Sequence, residues 1–155
     1  MRNSHLLAIA PAGTISLLAD NVSSGIEPIF ALEASRTVRG KDLQLQQVNV
    51  RDYAFAEWLE TGGVERSLPA AFVTAEALPA QAHLAMQAQL QPYVDGAISK
   101  TINLPGTATV QDVDGIFLHA FHRGIKGCTV FRHGSVRGQV LQARNESHCC
   151  AIADP

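Results

Sequence analysis

The chain has 155 residues, a formal net charge of −2 and a pI near 6.3, with 46% hydrophobic and 17% charged residues. This composition suits one globular domain with a workable core and disfavours disorder. The slight negative charge leaves no basic footprint for nucleic acid or an anionic membrane surface, and no apolar run reaches the roughly 20 residues of a membrane span.

The chain opens on an apolar run, His5 to Ala10, which reads as a strand buried on both faces. At about six residues it is shorter than the ~7–15-residue core of a secretory signal, so a cytoplasmic location is expected. Pro11 and Gly13 break the run, and a short helix is predicted to open near Thr14 or Ile15 and close before Asn21. Arg36–Val38 and Leu43–Val48 are predicted to pair across the turn Arg39-Gly40-Lys41-Asp42, with Gly40 at the bend. Asn49 is the expected N-cap of a helix whose face carries Val50, Tyr53, Ala54 and Trp58, and which stops at Gly62 and Gly63.

A second helix is predicted from Pro79 to about Pro92, with Pro79 in the first turn, where a missing N–H costs little. The stretch Ala97–Leu104 reads as a strand ending before Pro105. Thr109 with Asp112 forms a capping-box pattern that opens a third helix. Its expected buried stripe is Val110, Val113, Phe117 and Ala120 or Phe121, and Gly124 marks its end. Cys128–Arg132 reads as a last buried strand and Gly138–Leu141 as a short edge strand. Alternating strands and helices make an α/β fold with some parallel pairing. Residues 1–142 are assigned to the domain and 143–155 to a poorly ordered tail.

The turn after the first strand is the main candidate site. A strand that passes through glycine into a helix start leaves several backbone N–H groups without intrahelical partners, and the helix dipole favours an anion there. Gly13 permits close backbone approach, while Thr14 and Ser16 add hydroxyls. The turn matches neither a phosphate-binding loop with its lysine nor a Gly-x-Gly-x-x-Gly turn. Local sequence therefore leaves two readings open: an anion site, or a plain strand–helix connection capped by Thr14.

The remaining reactive residues favour structural roles. His119 and His122 lie three apart on the third helix but lack supporting ligands for a zinc site, and His83 reads as a packing or surface residue. Three cysteines, Cys128, Cys149 and Cys150, make no disulfide framework. Cys128 reads as a small hydrophobe, and His148-Cys149-Cys150 as part of the tail. The carboxylates Glu27, Glu33, Asp52, Glu57, Asp95, Asp112 and Asp114 show no catalytic pairing. Glu27 stands out by its place in a loop between Gly25 and Pro28.

Four stretches in order carry a resemblance: residues 2–30 (RNSHLLAIAPAGTISLLADNVSSGIEPIF), 36–42 (RTVRGKD), 83–105 (HLAMQAQLQPYVDGAISKTINLP) and 122–141 (HRGIKGCTVFRHGSVRGQVL). Together they resemble the C-terminal part of the adenosylcobalamin-dependent (class II) ribonucleotide reductases. The resemblance implies the C-terminal portion of a ten-stranded α/β barrel, a mixed sheet with helices packed on it. It implies an enzyme that reduces ribonucleotides to deoxyribonucleotides, with adenosylcobalamin bound mainly outside this chain. The stretch similar to residues 10–16 is the loop that holds the substrate phosphates, so Ala12, Gly13, Thr14, Ile15 and Ser16 are the implied phosphate-binding residues. Pro11, Gly25, Glu27 and Pro28 are implied to shape the adjoining loop.

The chain also departs from the family pattern. Ala12 stands where family members commonly carry Thr, removing one hydroxyl contact to a charged group, worth about 1.5–3 kcal/mol. The finger-loop pattern Asn-x-Cys-x-Glu, which carries the radical cysteine, is absent from all 155 residues. Cys149–Cys150 do not reproduce the family's spaced tail cysteines.

Met1 immediately precedes a predicted barrel strand, which suggests a split-gene subunit, an excised fragment or a decayed remnant. The implied partners are a larger reductase chain carrying the finger loop and cobalamin site, and a ribonucleotide substrate. Alone, the chain is expected to be inactive. The competing readings are a non-catalytic nucleotide- or protein-binding module, and an orphan homo-oligomer that pairs its exposed barrel edges.

Overall fold

Residues Ile98, Lys100, Ile102 and Leu104 are all buried, the period-two signature of one strand face turned into a core. In the computed structural model, which describes residues 2–39, 43–135 and the backbone of 141–143, this segment ends in a strand. The element order is α1 (Gly13–Leu18), β1 (Glu33–Arg39), β2 (Leu45–Arg51), α2 (Tyr53–Glu60), α3 (Ala80–Leu90), β3 (Thr101–Leu104), α4 (Val110–His122), β4 (Thr129–Arg132) and β5 (Leu141–Ala143).

β3 and β4 pair in parallel, Thr101 opposite Thr129 and Leu104 opposite Arg132, and α4 is the crossover that parallel pairing requires. Leu84 of α3, Ile102 and Leu104 of β3, and Ile116 and Ala120 of α4 form the core, with Val113, Ile125, Cys128 and Val130 packed around it. α4 opens on the predicted capping box: Asp112 N–H donates to the Thr109 hydroxyl at 3.2 Å, and Thr109 N–H to the Asp112 carboxylate at 2.8 Å. The Thr109 N–H, and then the Thr109 hydroxyl, which also donates to the carboxylate at 2.8 Å, hold the Asp112 carboxyl below the usual carboxylate range.

The buried stripe of α4 runs through Val113, Ile116 and Ala120, not through Val110, Phe117 or Phe121, which are exposed. The helix therefore carries two apolar faces, and periodicity alone did not rank them. The predicted Gly124 terminus is present, with φ +69°.

α3 buries a stripe that is mostly polar. His83, Gln87 and Gln91, four apart, are each buried. Gln87 Nε2 donates to the carbonyls of Ile98 (3.2 Å) and Gly127 (2.6 Å), and Gln91 Nε2 to those of Val94 (3.1 Å) and Gly96 (3.0 Å). These amides satisfy carbonyls of the irregular backbone leading into β3 and, at Gly127, into β4. The helix starts at Ala80, with Pro79 extended at the N-cap, and Pro92 falls in the 3₁₀ turn Gln91–Tyr93.

β1, β2 and β5 form a separate antiparallel sheet in the order β2-β1-β5. The predicted hairpin is present, with Arg36 opposite Val48 and Val38 opposite Gln46; its turn at Gly40 lies outside the described residues. Among the described residues the parallel and antiparallel pairs thus occupy two sheets instead of the one mixed sheet expected. The parallel pair is a helix crossover, whereas the antiparallel sheet joins the local β1–β2 hairpin to the sequence-distant β5.

Two further expectations are corrected. Asn49 is not a cap, because β2 stays paired with β1 as far as Arg51. Asp52 then leaves the ladder and its Oδ1 accepts from Phe55 N–H at 3.0 Å. α2 consequently buries Phe55 against the edge of Phe72 and leaves Tyr53 exposed.

The second correction concerns residues 5–10, which form no assigned strand. They run beside residues 95–99, accepting from Gly96 N–H at the Leu7 carbonyl (3.2 Å) and from Ser99 N–H at the Ile9 carbonyl (3.1 Å). The N–H groups of Leu6 and Leu7 go instead to the Asp95 carboxylate, at 2.8 and 3.0 Å, and hold it below the usual carboxylate range. With a partner on one side only, the segment is largely exposed rather than buried on both faces. The tail from residue 144 onward, with His148, Cys149 and Cys150, lies outside the described residues.

Candidate functional site

The polypeptide turns sharply at Ala12, the N-cap of α1, which sits in the left-handed region at φ 52°, ψ 24°. A non-glycine residue there costs about 1–2 kcal/mol, and a β-branched one would fit worse. The helix follows at once: Ser16 N–H donates to the Ala12 carbonyl at 2.9 Å, so the N–H groups of Gly13, Thr14 and Ile15 precede the first intrahelical bond. The Ser16 hydroxyl donates to the Val22 carbonyl and pins the return of the chain.

That return brings Gly25 against the turn. Gly25 has φ +58°, and a Cβ built on it would meet the Ala10 carbonyl oxygen at 2.8 Å. Gly25→Ala is therefore expected to lower the unfolding free energy by about 2 kcal/mol, from left-handed strain and this backbone contact. Urea denaturation of the full chain checks it, with Gly13→Ala, which meets nothing within 4 Å, expected to change stability far less.

Between the turn and the antiparallel sheet lies a cleft of about 360 Å³. Gly13 and Ser16 line one wall, residues 21–24 and 27–31 (including Glu27 and Pro28) another, and Ala34, Arg36, Val50, Asp52, Thr101 and Asn103 contribute to the rest. Thr14 and Ile15 are exposed outside this lining, and Ala12 is half-buried beside it. A larger cleft of about 600 Å³ opens at the carboxyl ends of β3 and β4, lined in part by Glu76, Leu104, Asp112 and His133, and shares only Asn103 with the first.

Behind the cleft wall sits a buried polar cluster. Lys100, 2% exposed, directs its ammonium to Glu27 Oε2 at 2.5 Å, His83 Nδ1 at 2.8 Å and the Thr101 carbonyl at 2.8 Å. All three ammonium donors are thus used. Glu27 Oε1 also accepts from Thr101 N–H at 2.5 Å, so one carboxylate joins the Gly25–Pro28 loop to the start of β3.

His83 Nε2 lies 3.0 Å from the Ala75 carbonyl. A carbonyl only accepts, so Nε2 carries the proton and Nδ1 is the acceptor for Lys100. Burial first, and then the adjacent Lys100 charge, lower the His83 pKa. Its folded-state pKa lies below the unfolded value of about 6.5, so the unfolded chain takes up a proton first as pH falls. Stability is full above that pH and is lost on acidification toward pH 5, by at most about 1.4 kcal/mol per pH unit. Urea midpoints between pH 7.5 and 5 check this. His83→Asn keeps an acceptor for Lys100 but cannot titrate, and is expected to flatten the dependence.

Comparison with known proteins bears on what this cleft is. The model of the ribonucleotide reductase barrel domain matches residues 1–131. The chain belongs to the ribonucleotide reductase barrel-domain family. Over 99% of its length it is 42% identical to the vitamin B12-dependent ribonucleoside-diphosphate reductase of Mycobacterium tuberculosis (strain CDC 1551 / Oshkosh), spanning 24% of that protein. It is 40% identical over 92% of its length to the enzyme of the same name from Thermoplasma acidophilum, spanning 21% of it. The crystal structure of a B12-dependent (class II) ribonucleotide reductase superposes with a TM-score of 0.61 over 89% of this chain and 21% of that one, at 17% identity, which supports the fold alone. The chain thus spans between 16% and 28% of the length of the curated reductases compared.

Within this reductase-type α/β fold, the structure brings together Gly13, Ser16, Glu27 and Pro28 from the predicted set. His119 and His122 stand exposed on α4, and among the described residues no group of three or more His, Cys, Asp or Glu could hold a metal ion. Cys128 is half-buried against the core, and burial raises its thiol pKa, in keeping with an inert packing role. No helix among the described residues is long and apolar enough to cross a membrane.

Lys100, His83 and Arg36 did not emerge from sequence as site residues. A signal for Lys100 existed: it occupies the core phase of the alternation Ile98, Lys100, Ile102, Leu104, and a charge in that phase requires a buried partner. Nothing in the sequence identified that partner as Glu27, 73 residues away.

Proposed function

We propose that the chain forms the C-terminal part of the barrel of a vitamin B12-dependent ribonucleotide reductase and contributes the cradle for the substrate's phosphates. The observation that carries this reading is the cleft in which the glycine turn at Gly13 and Ser16 faces the Glu27–Pro28 loop. Backbone N–H groups at Gly13, Thr14 and Ile15 would donate to the phosphate oxygens, and the α1 dipole would favour their charge. The Ala12 backbone shapes the turn. Glu27 acts from behind, through Lys100 and Thr101, to hold the loop that forms the opposite wall.

The rest of the barrel, with the finger-loop cysteine, would come from reductase sequence outside these residues, so the isolated chain is inactive in ribonucleotide reduction. Exposed Leu6, Leu18, Val110 and Phe121 are apolar surface that such barrel neighbours would cover. In the complete reductase, cobalamin would supply the radical chemistry. The polar groups of Asn21, Glu27 and Asp52 in the cleft are already engaged by Arg51, Lys100 and Phe55 and do not fit it, so its site is assigned outside this chain.

Co-expression with a reductase chain carrying the preceding barrel and B12 site tests the reading. A stable complex that restores nucleotide reduction is expected; absence of both complex and activity would refute it.

A further inference from the structure

Among the described residues, Arg36 is the one Lys or Arg that lines the Gly13 cleft. On β1 it shares a face with Ala34, and Ala34 pairs with Val50 across the hairpin. All three line the cleft. Arg36 is half-buried.

The carboxylates nearby are committed elsewhere. Glu27 serves Lys100 and Thr101, Asp52 caps α2 through Phe55 N–H, and Glu33 binds Arg51 at 2.5 and 2.7 Å. On the facing wall Ser16 has given its hydroxyl proton to Val22, which leaves that wall with backbone donors and no positive charge. A guanidinium drawn out of water into such a cleft is best matched by a planar or tetrahedral oxyanion, which it binds through two parallel N–H donors.

We propose that Arg36 is the charged contact for a phosphate group held in this cleft, opposite Gly13. The inference rests on the phosphate-cradle reading and adds a specificity-determining side chain to it. The phosphate is assigned to the ribonucleotide, since cobalamin does not fit this cleft.

Titration of the full chain with inorganic pyrophosphate tests it. Arg36→Ala is expected to weaken binding about 10- to 100-fold, and Arg36→Lys, which keeps the charge and loses the fork, by a smaller but measurable factor. Circular dichroism and urea midpoints matching the parent chain establish that the variants fold; if Arg36→Ala does not, Arg36→Lys carries the test. Displacement of pyrophosphate by a nucleoside diphosphate is expected and assigns the site to substrate; failure to displace it would overturn that assignment.

Unchanged pyrophosphate affinity in both folded variants would overturn the inference. If Gly13→Asp abolishes binding while both Arg36 variants retain it, the cradle stands and Arg36 falls. If the Arg36 variants lose binding and Gly13→Asp retains it, Arg36 stands and the glycine turn falls. No binding by the parent chain refutes both.

Discussion

Lys100→Met is expected to lower the unfolding free energy of the full chain by about 3 kcal/mol, the low end of the range for breaking a buried pair. The side chain of Lys100 is 1% exposed and that of Glu27 20%. Removing the ammonium strands a carboxylate that retains some contact with water, which is why the low end applies. It also leaves His83 Nδ1 and the Thr101 carbonyl without their donor. Glu27→Gln should cost less, because the amide oxygen can still accept from Thr101 N–H. In the double variant, Lys100→Met with Glu27→Gln, the uncompensated charge is gone and part of the loss should return. Equilibrium urea unfolding of the four chains measures the coupling; additive losses would show that the two groups do not act as a pair.

Gly13→Asp should act on function and leave the fold intact. A Cβ at Gly13 meets nothing within 4 Å, and an acidic residue in the first turn of a helix is favoured by the dipole. The same carboxylate would occupy the donors meant for a phosphate and repel its charge. With a charged hydrogen bond worth about 1.5–3 kcal/mol, kcat/KM of the complemented reductase should fall about 100-fold, chiefly through KM, with urea midpoints unchanged. A variant that folds and reduces nucleotides normally would remove the turn from the substrate site.

The two experiments address different layers of the same cleft. One asks what holds the Gly25–Pro28 loop in place, the other what the opposing wall binds. Gly25→Ala joins them, since its predicted strain arises where the loop touches the Ala10 carbonyl.

Several features of this molecule follow from sequence alone because their causes are local. The Thr109–Asp112 box needs only two residues three apart, and the hairpin of Arg36 and Val48 needs only alternation and a turn. The glycine turn at residues 11–16 is likewise legible, and four ordered stretches point to the reductase family. Other features required the tertiary structure. Asp52, not Asn49, caps α2 because β1 keeps Asn49 in its ladder; α4 buries Ile116 rather than Phe117 because β3 and α3 meet that face; and the run His5–Ala10 lies exposed because it has one neighbour. Above all, the Glu27–Lys100–His83 cluster joins residues from three distant segments. Each alone is an ordinary polar residue, and only the fold brings them within hydrogen-bond reach of one another.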